Sequence, residues 1–135
     1  MRAVTGAFIL RIDMNSPDTA NAAALSQRGL ELLAAGKALE AAREFRAAIA
    51  ADESHVEAHH GLVRALRDGG RIEDSIGAAL RLTVLTPHDP LAHTALSISL
   101  QHAGHVPEAE AAAARARVLE WKIALKTPPE EGNGP

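Results

Sequence analysis

The 135-residue sequence lacks cysteine and tyrosine, and aromatic residues make up only 2% of it. Without cysteine the chain has no disulfide bonds and no thiolate chemistry. With so few aromatic rings, its core has to be built from alanine and leucine, which favours closely packed helices. No apolar run approaches about 18 residues, so no transmembrane helix is predicted. The net charge of −3 argues against a general nucleic-acid binder, because such proteins carry a basic stripe.

Three equally spaced glycines mark a repeat, because the residues around them recur in the same register. Gly36, Gly70 and Gly104 are each preceded by a leucine at four residues and followed by a small residue at five. These flanking residues are Leu32, Leu66 and Leu100, and Ala41, Ser75 and Ala109. A fixed period of this length indicates one supersecondary unit copied along the chain. Stacked repeats present extended concave surfaces, so the pattern favours macromolecular binding over catalysis.

Start and stop signals divide the chain into six predicted helices. Pro17 and Pro90 each occupy a first helical position after a capping residue, and each repeated glycine is predicted to end a helix in the left-handed conformation. Ser54 and Glu57 are predicted to form a capping box. The helices are expected at approximately 17–35, 38–51, 55–69, 72–85, 90–103 and 107–126.

Apolar spacing then predicts which faces are buried. The second helix should bury Ala41, Ala42, Phe45, Ala48 and Ile49, and the fourth should bury Ile76, Ala79, Leu80 and Val84. The sixth continues past the length of its predecessors, with a stripe of Ala114, Val118, Trp121 and Leu125, until Thr127-Pro128-Pro129 stops it. Either Lys122 and Lys126 cover this stripe with their aliphatic stems, or it remains an exposed apolar patch.

A helix-turn-helix unit of about 34 residues with glycine at the turn resembles the tetratricopeptide repeat. The units align without a gap as 22–55, 56–89 and 90–123. The signature positions hold Leu25, Gly29, Leu32, Gly36, Ala41, Phe45 and Ala48 in the first unit, and Leu62, Leu66, Gly70, Ser75, Ala79, Leu82 and Pro87 in the second. They hold Leu96, Leu100, Gly104, Ala109, Ala113 and Ala116 in the third. Ala79 replaces the usual aromatic residue, and Trp121 stands where proline is common.

The resemblance implies an all-α, right-handed α-solenoid of three antiparallel helix pairs with an extended C-terminal helix. We expect the repeat domain to span residues 16–126, after an N-terminal extension at 1–15 and before a disordered tail at 127–135. Three interpretations of the extension stay open: a signal peptide, an upstream extension before a natural start at Met14, or a hook that packs on the first repeat or on a second subunit. Arg11 and Asp13 interrupt its apolar run, so a cytoplasmic protein is predicted.

By resemblance, the first helix of each pair lines a concave groove that binds a partner protein or peptide. Its contacts here would be Ser26, Leu30 and Leu33, then His60, Arg64, Arg67 and Asp68, then Thr94, Ile98, Gln101 and His102. This surface suits a peptide with a carboxylate flanked by apolar side chains. Alternatively, Arg64 and Arg67 are ordinary solvated residues paired with Asp68 or Glu57. The family's clamp for chaperone C-termini is not expected, because Ser26, Leu30, Gly61, Leu91 and Ala95 replace its lysine, asparagine and arginine residues.

Two further hypotheses concern the ends of the stack and the histidines. Copies of the chain would self-associate, as a homodimer for example, through Phe8 and Ile12 at one end and Val118, Trp121 and Leu125 at the other. The seven histidines include His55 and His59 at metal-ligand spacing, but capping and surface roles are favoured for them. We therefore predict a binding protein that is not an enzyme, without cofactor or metal, and with neither nucleic acid nor membrane as partner.

Overall fold

The structure is a computed structural model that describes residues 17–127, and within that span the chain forms six α-helices and no strand. The predicted all-α class is confirmed, and all six helices are present close to their expected ends. The predicted N-terminal extension, with Phe8 and Ile12, and residues 128–135 of the predicted tail lie outside the described residues. In chain order the helices are α1 Pro17–Ala34, α2 Ala38–Ala51, α3 Val56–Asp68, α4 Ile72–Leu85, α5 Pro90–His102 and α6 Val106–Lys126.

The turn inside each helix pair explains why glycine and leucine recur together. Gly36, Gly70 and Gly104 have φ values of 80°, 82° and 82°, which side chains with a Cβ rarely adopt. The residue after each glycine donates its backbone N–H to the carbonyl of the repeated leucine. These bonds are Lys37 to Leu32 at 2.8 Å, Arg71 to Leu66 at 2.8 Å and His105 to Leu100 at 2.9 Å. Each turn is therefore a helix end closed by a left-handed glycine, as predicted.

The turns between pairs are closed by different side chains. Asp89 caps α5 as predicted, since its Oδ1 accepts from the Leu91 N–H at 3.0 Å. The capping box predicted at Ser54 is wrong. His55 is the residue that precedes α3, with no side-chain cap bond, and Ser54 instead donates from its backbone N and its Oγ to Asp52 Oδ1 at 3.1 and 2.8 Å. The Asp52 carboxylate captures both donors two residues on, in a local turn.

The helices form two layers with different packing. Each pair is antiparallel, α1 with α2, α3 with α4, and α5 with α6, and α3 also contacts both α1 and α5. In the other layer, no Cα atoms of α2 and α4, or of α4 and α6, come within 8 Å of each other in the described part of the chain. The stack therefore curves toward the layer of α1, α3 and α5, which is its concave side, and opens between the helices of the convex side.

Phe45 on α2 is the centre of the core. Its side chain is fully buried and lies against two glycines, Gly29 on α1 and Gly61 on α3. A Cβ on Gly29 would lie 2.7 Å from the Phe45 ring, and one on Gly61 would lie closer still. The single large ring thus fills a slot whose walls are bare backbone, and it joins the first repeat to the second.

The later repeats solve the same packing problem with other residues. At the repeat positions of Phe45 and Gly29, the second unit has Ala79 and Val63, both buried in the core. The larger residue of the two is now on the first helix of the pair, and the two side chains together are smaller than the phenylalanine that they replace. At the position of Gly29 the third unit has Ser97, whose Oγ donates to the Ala109 carbonyl at 2.8 Å. A buried hydrogen bond joins α5 to α6 there.

The predicted buried faces are correct for α2 and wrong in part for α4. Ala41, Ala42, Phe45 and Ala48 are buried as expected, whereas Ile49 is only partly so. On α4 the core residues are Ser75, Ala78, Ala79 and Leu82. Leu80 is 50% exposed and Val84 is 81% exposed, because they lie on the side of α4 that faces away from α3. The prediction merged two separate apolar faces of this helix into one.

Replacing Gly61 by alanine is expected to destabilise the fold by about 1–3 kcal/mol, because the new Cβ collides with the buried Phe45 ring. Gly77→Ala is the matched control: it lies inside α4, and its Cβ meets nothing nearer than Arg81 Nη1 at 3.9 Å. That variant should gain about 0.5–1 kcal/mol from helix propensity. Urea denaturation of both measures the difference, and equal stabilities would contradict the slot.

Candidate binding groove

The predicted groove residues lie on α1, α3 and α5, the three helices of the concave layer. Their repeat positions place them in three rows, with one row contributed by each helix. The rows are Ser26, Leu30 and Leu33, then His60, Arg64, Arg67 and Asp68, then Thr94, Ile98, Gln101 and His102. The exposure and the hydrogen bonds of each residue show which of these side chains are accessible on the concave side and which are not.

Arg64 and Arg67 have different surroundings although they lie one turn apart on α3. Arg64 is exposed, and its Nε lies 3.5 Å from Asp68 Oδ2 in an ion pair along the helix, which contributes little to stability. Arg67 is half-buried and forms no ion pair with the rest of residues 17–127. Its Nη1 donates to Ser99 Oγ on α5 at 3.5 Å. Arg67 therefore bridges the second and third repeats, and its guanidinium is not ion-paired with any carboxylate in the described part of the chain.

Burial lowers the pKa of two residues in these rows. The pKa of Arg67 lies below its ordinary value, mainly through desolvation, while the Asp68 carboxylate raises it and Arg64 lowers it further. The pKa of His60 is also lowered by desolvation, which outweighs the opposing effect of the Asp89 carboxylate, and His59 adds to the lowering. Burial therefore favours the uncharged form of His60.

The outer rows of the groove are less uniform than predicted. Ser26 is only 2% exposed, so it offers almost no surface and we remove it from the contact set. Its buried Oγ has no hydrogen-bond partner among the described residues. Leu30 is exposed and Leu33 is partly buried, which leaves an apolar strip on α1. Gln101 and His102 are exposed on α5, and Thr94 and Ile98 are partly buried.

Two of the histidines bond to the turn that precedes their own helix. His59 and His93 occupy equivalent repeat positions, and each donates from Nε2 to a carbonyl six residues earlier, that of Glu53 at 2.8 Å and that of Pro87 at 2.9 Å. His55, the possible metal partner of His59, has Nε2 4.0 Å from Glu57 Oε1, too far for a hydrogen bond. Between residues 17 and 127, no three histidine or acidic side chains are grouped to hold a metal ion.

Two clefts on the convex side were missed by sequence reasoning. The first, of about 500 Å³, lies between α2 and α4 and is lined by Arg46, Ile49, Ala50, Glu53, His59, Leu62, Arg81, Val84 and Leu85. The second, of about 440 Å³, lies between α4 and α6 and is lined by Ile76, Leu80, His93, Leu96, Leu100, Glu108, Ala111 and Ala112. The available signal was the excess of apolar residues on α4, which is too many for one buried face.

The last helix ends the stack with an exposed apolar face. Its buried residues are Ala109, Ala112, Ala116 and Leu119. On another side of the helix, Trp121 is 64% exposed and Leu125 is 69% exposed, in line with the exposed Val118. Lys122 and Lys126 line a separate cleft with Leu119 and Ile123. The two predicted alternatives for this face were coverage by the lysine stems and an exposed apolar patch, and the structure has the exposed patch.

Within the described residues, no helix is long and apolar enough to span a bilayer.

Antiparallel helix pairs that recur at a constant interval, with a left-handed glycine inside each pair, define a helical-repeat solenoid. The tetratricopeptide-repeat family profile matches residues 26–90 and 61–124, which together cover well over half of the chain. The chain belongs to the tetratricopeptide-repeat family. No curated protein matches it.

Several solved structures are similar to this chain in fold. The second tetratricopeptide domain of Spaghetti (RPAP3), bound to the HSP90 peptide SRMEEVD, is 18% identical, with a TM-score of 0.68 over 73% of this chain and 92% of that one. The translocator chaperone SycD of Yersinia enterocolitica, in an alternative dimer, is 22% identical, with a TM-score of 0.70 over 78% of each. MamA is 20% identical, with a TM-score of 0.73 over 86% of this chain and 67% of that one. At these identities the likeness shows the fold alone.

Acidification is expected to destabilise the protein through His60. The pKa of His60 is lower in the folded chain than in the unfolded chain, so the unfolded chain binds the proton first as the pH falls. The stability that comes from keeping His60 uncharged is therefore fully present above pH 6.5 and is lost as the pH falls below it. Urea denaturation between about pH 7.5 and 5.5 should show a smaller loss for His60→Gln than for the parent chain. Identical pH slopes would contradict the assignment.

Proposed function

We propose that this protein is a non-enzymatic binding module that takes a peptide or helix of a partner protein in its concave groove. Arg67 is the observation that carries the proposal. A half-buried guanidinium has lost part of its hydration, and within residues 17–127 it makes in return only a long hydrogen bond to a hydroxyl. A carboxylate would supply the paired, charge-assisted hydrogen bonds that arginine makes best.

The remaining groove residues suggest the shape of the ligand. Leu30 and Leu33 offer apolar surface on the first repeat, and Ile98 offers it on the third. A bound segment would place an acidic residue over α3 and apolar side chains over α1 and α5. The family's clamp for chaperone peptides is not part of this proposal. Two of the clamp positions hold Gly61, which has no side chain and packs against the Phe45 ring, and Ala95, which has no charged group.

Arg67→Gln is expected to weaken binding of an acidic peptide by about tenfold or more, since a hydrogen bond to a charged group contributes roughly 1.5–3 kcal/mol. The probe is an array of dodecapeptides in which one glutamate is moved through a leucine–serine background. The best binder is then titrated against the full chain by fluorescence anisotropy. Binding should also weaken as salt is added.

Arg117→Gln on α6 is the control, because Arg117 is exposed and lies on a helix outside the concave layer. The double variant Arg64→Glu, Arg67→Glu should remove binding while leaving helicity intact. Retained affinity in that folded double variant would place the contact elsewhere on the molecule and contradict the groove proposal.

Self-association through the end of the stack is the second candidate function, and the exposed face of α6 supports it. Val118, Trp121 and Leu125 follow one another at i, i+3 and i+7, on one side of the last helix of the described residues. Exposed apolar patches of this kind mark interfaces in soluble proteins. A fourth helix pair, or the same end of a second copy, would bury them.

Trp121→Asp is expected to abolish any dimer that forms through α6, because a carboxylate would be buried without a partner. Sedimentation equilibrium between about 1 and 100 µM detects dimers with Kd values in that range, equivalent to roughly 5–8 kcal/mol of association free energy. Glu120→Gln, an exposed neighbour on the same helix, should leave the association unchanged. A parent chain that stays monomeric across that range would rule out this candidate.

A further inference from the structure

The strongest unassigned feature of the molecule is the outer face of α4. Ile76, Leu80 and Val84 follow one another at i, i+4 and i+8, which aligns them along a single helical stripe. The opposite face of α4 already supplies the core residues Ala78, Ala79 and Leu82. The stripe is therefore an additional apolar face, and its Val84 is the most exposed large apolar side chain among the described residues.

This stripe lies between two clefts produced by the curvature of the stack. The α2–α4 cleft continues it with Ile49, Leu62 and Leu85, and the α4–α6 cleft continues it with Leu96 and Leu100. The two clefts are repeat equivalents, since His59 and Leu62 line the first, and their counterparts one repeat later, His93 and Leu96, line the second. The α4 ridge and its two clefts together form one continuous apolar surface, which we call the convex surface.

The charges at the edge of the convex surface indicate what it binds. Arg46 and Arg81 line the α2–α4 cleft, and neither forms an ion pair with another residue between 17 and 127. The first cleft also holds one carboxylate, that of Glu53, and the second holds that of Glu108. An apolar groove beside two unpaired guanidiniums suits a ligand with an apolar face and acidic flanks.

We propose that the convex surface is a second docking site, distinct from the concave groove, that binds an acidic amphipathic helix of a partner protein. The helix would lie along Ile76, Leu80 and Val84, insert apolar side chains at i, i+4 and i+7 into the α2–α4 cleft, and direct carboxylates toward Arg46 and Arg81. If this surface paired symmetrically with a second copy of the chain, the same residues would meet across the interface. The second copy would bring its own arginines along with its carboxylates, so Arg46 and Arg81 would gain no excess of negative charge.

The test measures binding of a designed helix to the full chain. The probe is a fluorescein-labelled, helix-forming peptide of about five helical turns with leucine along one face and glutamate on the flanks. It is compared with a peptide that has lysine at every glutamate. The glutamate peptide is expected to bind at least about tenfold more tightly than the lysine peptide. Equal affinities would overturn the proposal.

Two sets of variants locate the site. Leu80→Asn with Val84→Asn, and separately Arg46→Gln with Arg81→Gln, should each weaken binding of the glutamate peptide by about tenfold or more. Because all four side chains are exposed, the urea midpoint should not change. Arg117→Gln on α6, which lines neither cleft, should leave this affinity unchanged. Loss of peptide binding in Arg67→Gln, with no loss in the Leu80 and Val84 variant, would overturn the proposal.

The other possible occupants have outcomes of their own. A concentration-dependent dimer that disappears in the Leu80 and Val84 variant, without peptide affinity in the parent chain, would assign the surface to a second copy. A tenfold rise in peptide affinity in Phe8→Asn, Ile12→Asn would assign it to the N-terminal segment of the same chain. Binding to vesicles of anionic phospholipid, with none to the peptide, would assign it to a membrane. Each of these results overturns the proposal.

Discussion

The contact between Phe45 and the two glycines is the constraint on which the first half of the stack depends. Gly29 and Gly61 come from different repeats, and the ring reaches both of their backbones. One side chain therefore sets the spacing of α1, α2 and α3 together. In a chain with only 2% aromatic residues, this ring supplies bulk that no other core residue provides. At the equivalent positions the second repeat has Val63 and Ala79, and the third has Ser97, which donates a hydrogen bond to the Ala109 carbonyl.

The same packing shapes the two sides of the stack. Close contact among α1, α3 and α5 makes their layer concave, and it separates α2, α4 and α6 on the other side. One curvature thus produces a groove and two clefts. Their chemistry differs because the repeats are not identical. The groove has a half-buried arginine between two of its helices, whereas the convex surface is apolar with arginines at its edge.

The local signals in the sequence predicted the fold well because each acts within a few residues. The positive φ of the three glycines, the Asp89 cap and the six helices follow from short-range backbone chemistry, and they were confirmed. The predicted capping box is wrong because of another short-range interaction, since Asp52 accepts the hydrogen bonds of Ser54. The predicted buried stripe on α4 is wrong in part because burial depends on long-range packing. Helical spacing shows which residues share a face, but it does not show whether a neighbouring helix covers that face.

The groove was predictable only as a set of positions. The repeat register placed its residues on α1, α3 and α5, but the burial of Ser26 and the different bonding of Arg64 and Arg67 depend on how the helices pack. By itself, the sequence determined the repeat, the helix ends and the family, because these depend on residues close together in the chain. Only the tertiary structure decided which arginines remain unpaired and which apolar face of α4 meets solvent, because both depend on the distance between helices from different repeats.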